Sequence, residues 1–105
     1  MKIKPYRSSK IIDVFSIYWF DNETYFYGLP RSYGGFIAYK ASDVEVVDPD
    51  INFRSVYYHN NARSVHHWAL IKEKLLDDIV ERDEVAYKRF LEILKSEGHV
   101  NEDFY

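Results

Sequence analysis

The sequence predicts an α+β domain: an antiparallel sheet of about five strands over residues 11–58, followed by two helices, about 64–82 and 84–97, packed on one sheet face. Three observations carry this. Short runs of β-branched and aromatic residues fill residues 11–58. Turn-forming residues separate those runs. After Trp68, apolar residues recur at three- and four-residue steps, which is the spacing of one helix face. At 105 residues the chain fits one domain, 1–105, and its 47% hydrophobic and 30% charged residues are a core-forming composition.

The first strand is Ile11 to Phe20, apolar on both alternate sets and so central. Asp21-Asn22 supplies a two-residue turn, both residue types tolerating positive φ, and Glu23 to Tyr27 returns as the second strand. Leu29 to Gly35 breaks the pattern with Pro30 and a glycine pair. Phe36 to Lys40 follows as a third strand, and Val44, Val46 and Val47 mark a fourth after the Ser42-Asp43 turn. Asp48-Pro49-Asp50 turns the chain into a fifth strand, Ile51 to Tyr58. Asn61 or Ser64 is the expected N-cap of the first helix, whose apolar face is Trp68, Ile71, Leu75 and Ile79. Asp83 caps the second helix, Gly98 ends it, and Lys95 lies in its last turn. Asn101 to Tyr105 reads as a frayed tail.

Composition removes several classes of function. There is no cysteine, so disulfides, zinc-thiolate sites and thiol nucleophiles are excluded, which fits a reducing cytoplasm. Lys2, Lys4, Arg7 and Lys10 precede an apolar run, but Asp13 interrupts it and no small-residue cleavage site follows. The expectation is a soluble, unprocessed, cytoplasmic protein with no membrane or nucleic-acid partner. The basic N-terminal stretch reads as a solvated lead-in. The body is weakly acidic, with 3 basic against 7 acidic groups in residues 11–60 and 7 against 10 in residues 61–105.

No catalytic or metal-ligating residue and no cofactor is assigned. His66 and His67, placed on a helix, would point about 100° apart. His59 with His66 or His67, helped by Lys72 as a charge stabiliser, is the alternative reading, a small enzyme or ligand-binding protein. No phosphate loop and no twelve-residue calcium loop occurs. Partner contact is assigned instead to Arg31 and Tyr33, which combine an arginine and an aromatic in a Pro-Gly loop. The acidic turn residues Asp21, Glu23, Asp43, Glu45, Asp48 and Asp50 form the second half of the assignment, as a rim steering onto a basic partner.

The segment Tyr25-Phe26-Tyr27-Gly28-Leu29-Pro30-Arg31 running to Gly34-Gly35-Phe36, in an aromatic-rich chain without cysteine, resembles bacterial immunity proteins of contact-dependent growth inhibition and other polymorphic toxin systems. The resemblance implies a cytoplasmic antidote, not an enzyme, monomeric when free. It would form a heterodimer with a cognate toxin domain, commonly a nuclease, and occlude its active site.

Overall fold

The computed structural model describes all 105 residues and has the α+β order expected, an antiparallel sheet followed by C-terminal helices. The strands are β1 (Lys2–Pro5), β2 (Ile12–Phe20), β3 (Glu23–Leu29), β4 (Ile37–Lys40), β5 (Val44–Asp48), β6 (Ser55–Asn60) and β7 (Ala62–His67). The helices are α1 (Trp68–Lys72), α2 (Leu76–Val80) and α3 (Glu84–Ser96). No helix is long and apolar enough to cross a membrane.

β2 is the axis of the sheet. One of its edges pairs with β3 along its length; the other pairs with β1 at Ile12 and Asp13 and with β7 from Ser16 to Trp19. The sheet therefore forks, with β5 beyond β1 and β6 beyond β7. A register shift between Val14 and Ser16 marks a bulge in β2. It turns Phe15 and Ser16 to the same side. Phe15 enters the main core against Phe90 of α3, and Ser16 lies opposite Tyr27, which packs on that core.

The main core lies between this face and the helices and includes Phe15, Leu29, Leu70, Ile79, Phe90 and Leu94. A smaller cluster, Ile3, Ile12, Val14, Phe26 and Val44, occupies the opposite face. Its cover follows from chain length. In the order β4-β3-β2-β1-β5, β4 and β5 stand at opposite edges, yet only the 3-10 turn Ala41–Asp43 joins them. Laid flat, four interstrand steps would hold these edges ~19 Å apart. The four residue steps from Lys40 to Val44 reach at most ~14 Å fully extended, and less when coiled. The sheet must curl, and the second cluster is its concave lining.

Several sequence-based expectations change. The N-terminal stretch is strand β1 with Ile3 fully buried, because it supplies the pairing that β2 and β5 need. Residues 64–67 are strand, not helix: Asn61, at φ 51°, turns a β6–β7 hairpin rather than capping a helix, and Ser64 lies in the ladder. The fifth strand begins at Ser55, leaving Phe53 free to reach Phe15. The expected 64–82 helix is two single turns, separated where Lys74 adopts φ 57°. The second helix matches: the Asp83 carboxylate accepts from Ala86 N–H at 2.9 Å. At its end, Gly98 N–H reaches Lys95 C=O and His99 N–H reaches Leu94 C=O, a Schellman closure with Gly98 at φ 77°.

Candidate functional site

The Pro30–Gly35 loop is tied to its own chain. Arg31 donates from Nη2 to the Asp103 carbonyl at 3.0 Å, and its guanidinium lies 4.7 Å from the Tyr105 ring centre. Ser32 N–H donates to Tyr105 C=O at 2.7 Å. These bonds hold the tail expected to fray, and Phe104 packs against the main core. Hydrogen bonds from Ser32 and Arg31 hold the Tyr105 hydroxyl below the usual phenol range. Tyr33 is partly exposed, with Arg82 4.5 Å from its ring centre. Arg31 thus has an internal role, and only part of Tyr33 is presented outward.

The acidic residues divide into two groups. Asp21 and Glu23 stand at the β2–β3 hairpin tip, with Asp21 and Asn22 both in the left-handed region. Asp43 lies in the 3-10 turn, where its carbonyl accepts from Tyr6 N–H. Glu45 and Asp48, on β5, lie opposite Lys4 and Lys2 of β1. The Asp48 side chain accepts from Asp50 N–H. Register puts Asp48 at the level of Asp13, seven residues short of Phe20 along β2, so ~23 Å separates that level from the hairpin end. The acidic rim is therefore discontinuous, and its β5 part faces the basic first strand.

The histidines do not converge. His59 is exposed opposite Arg63, on the sheet face that His66 does not share. His66 is buried on β7 between two serines, Ser16 Oγ at 2.7 Å and Ser64 Oγ at 2.8 Å. Ser64 donates its hydroxyl proton to Tyr58 C=O, so its oxygen accepts from His66 Nε2–H, and Ser16 donates to Nδ1. Burial lowers the His66 pKa to about 4. A neutral ring sealed in this way has no route to a substrate.

His67, Glu97 and His99 bring nitrogen and carboxylate ligand atoms within 4.8 Å of one another. The proton positions do not suit a metal. His67 Nδ1 accepts from Ala69 N–H at 3.1 Å, capping α1, so the ring proton sits on Nε2 and is donated to Glu97 Oε1 at 2.6 Å. Trp68 Nε1–H donates to the other carboxylate oxygen at 2.7 Å. Ligation through Nε2 would move the proton to Nδ1, against an amide that is itself a donor. Burial lowers the His67 pKa, with partial opposition from Glu97. Burial raises that of Glu97, but the hydrogen bonds from Trp68 and His67 more than offset it, leaving it lowered. The cluster locks the end of α3 to the start of α1.

A surface absent from the sequence-based assignment is more open to a partner. On the concave face, beyond the covered cluster, Trp19 of β2 lies opposite Arg63 of β7, and Tyr57 of β6 stands beside them opposite Val65. The three line a shallow hollow of about 250 Å³. Trp19 is 40% and Tyr57 61% exposed, although the helices pack on the other face and leave this one bare. Arg63 makes no ion pair. Asp21 and Glu23, at the adjoining hairpin tip, are the assigned residues nearest to it along the chain. The signal for this surface was the Asn60-Asn61 pair, a hairpin-turn signature, concealed by taking Asn61 or Ser64 as the N-cap of a helix.

No family model matches the chain, and no match was found among curated proteins or solved structures.

Proposed function

We propose that the protein is an immunity protein that binds a cognate bacterial toxin domain, a nuclease in the leading version, and neutralises it by covering its active site. The observation supporting a binding role is the exposed Trp19–Tyr57–Arg63 surface, because tryptophan, tyrosine and arginine dominate the energetics of protein interfaces. Asp21, in the adjoining hairpin turn, forms its acidic border, while Glu23, paired with Phe20 and so on the opposite face, belongs with Tyr33, Asp43, Glu45, Asp48 and Asp50 to secondary contacts. Internal hydrogen bonding of His66 and His67 favours binding over the alternative histidine-based activity.

The test is coexpression with any toxin domain found to be encoded beside it. Protection of the cells and a 1:1 complex are expected. Trp19→Ala with Tyr57→Ala should lose protection while the purified variant keeps its circular dichroism spectrum. Failure of the native chain to protect, or full protection by the double variant, would remove respectively the toxin role or this surface.

A further inference from the structure

The outer edge of β6 has no strand beside it. We propose that an extended, acidic segment of the protein partner adds to this edge as a further antiparallel strand, an inference that rests on the binding role above.

Three edges of the sheet are open, and they differ in chemistry. β4 has only four residues and ends on Lys40. β5 carries Glu45 and Asp48, charges of the kind that discourage edge pairing. β6, Ser-Val-Tyr-Tyr-His-Asn, has no Lys, Arg, Asp, Glu or Pro, and five of its six residues are exposed. Its backbone donors and acceptors are therefore presented without the usual protection.

Charge selects the occupant. From Ile51 to Asp77, the segment that carries β6 and the hollow beside it, there are four basic residues, Arg54, Arg63, Lys72 and Lys74, and two acidic residues, Glu73 and Asp77. Glu73 is engaged by Arg89, which donates from Nε at 2.9 Å and Nη2 at 3.0 Å. The segment is +2 in a chain whose net charge is −3, which leaves −5 elsewhere. A second copy would bring like charge to this edge, whereas an acidic strand complements it. The acidic remainder suits a partner with a basic cleft.

The side chains at the edge fit the alternation of a strand. Next to Tyr58, a hollow of about 360 Å³ is walled by Leu70, Ile71 and Leu76, with Lys74 and Asp77 at its margin. On the other face lies the Trp19–Tyr57–Arg63 hollow. Successive residues of an added strand point to opposite faces. One set would fill the first hollow with apolar groups, and the other would offer carboxylates to Arg63. Main-chain bonds would supply affinity and these two hollows specificity.

The test is titration of the whole isotope-labelled protein with a short synthetic peptide alternating valine and glutamate, read by amide chemical shifts and hydrogen exchange. Shifts and slowed exchange centred on Ser55–Asn60 are expected, and Arg63→Glu, at an exposed position, should weaken binding about tenfold. A valine–lysine peptide should bind at least about tenfold more weakly. No response to the glutamate peptide, or equal response to the lysine peptide, would overturn the proposal. So would binding of a thymidine oligonucleotide in the peptide's place, or concentration-dependent dimerisation through β6. Toxin protection is scored separately: protection without peptide binding would remove strand addition alone, and peptide binding without protection would remove the toxin role alone.

Discussion

At the scale of single residues, the buried histidines act as hydrogen-bonding parts whose neutrality the fold requires. His66 has a folded pKa of about 4 against an ordinary value of 6.5, so the unfolded chain binds more protons between those values. Its stabilising contribution is complete above pH 6.5, is lost as pH falls towards about 4, and changes no further below that. The loss is on the order of 2 kcal/mol. Denaturation midpoints across this window should fall more steeply for the native protein than for His66→Gln. Nitrogen-15 spectra should report an Nε2–H tautomer for His66 at neutral pH. Glu97→Ala would leave His67 Nε2–H and Trp68 Nε1–H without their acceptor. A loss of about 1–3 kcal/mol in urea denaturation is expected, the cost of stranding the buried His67 donor, since Trp68 can turn to water.

At the scale of elements, local chemistry made some boundaries readable and tertiary pairing hid others. Asp83 and Gly98 could be read because a cap and a left-handed terminus act within one helical turn. Asp83→Ala should therefore cost about 1 kcal/mol of stability, measured by thermal or chemical unfolding. The Asp21-Asn22 turn was legible for the same reason, since both residues adopt the positive φ that such a turn requires. β1 was not legible, because Lys2-Ile3-Lys4-Pro5 has one apolar residue and becomes a strand only between β2 and β5. His66 and His67 carried no strand signal of their own. Their positions depend on Ser16, fifty residues from His66, and on Glu97, thirty residues from His67. The candidate site suffered accordingly: Arg31 looked free because Asp103 and Tyr105 could not be placed beside it, and Tyr57 and Arg63 could not be joined without the hairpin.

At the scale of the whole molecule, curling of the sheet connects the fold to its exposed surface. The concave face is filled at one end by Ile3, Val14 and Phe26 and left open at the other, where Trp19, Tyr57 and Arg63 stand. Gly28 is a steric condition of the filled end. A Cβ there would lie 2.8 Å from both Ile12 Cγ2 and the Tyr39 ring. Contact that close forces one of them away, and with it the approach of β4 to the concave lining. Gly28→Ala should destabilise the protein by about 1–3 kcal/mol, the usual cost of overpacking. Part of that cost comes from the Tyr39 ring, so the same substitution in a Tyr39→Ala background should cost less, by an interaction energy of roughly 0.5 kcal/mol or more. Additive losses in urea denaturation would instead locate the strain at Ile12 alone. The bare end of the face lies beyond this contact, so a folded Gly28→Ala protein should bind the proposed toxin partner with unchanged affinity when measured by calorimetry. A parallel loss of binding would mean that curvature set at Gly28 also positions Trp19 and Tyr57.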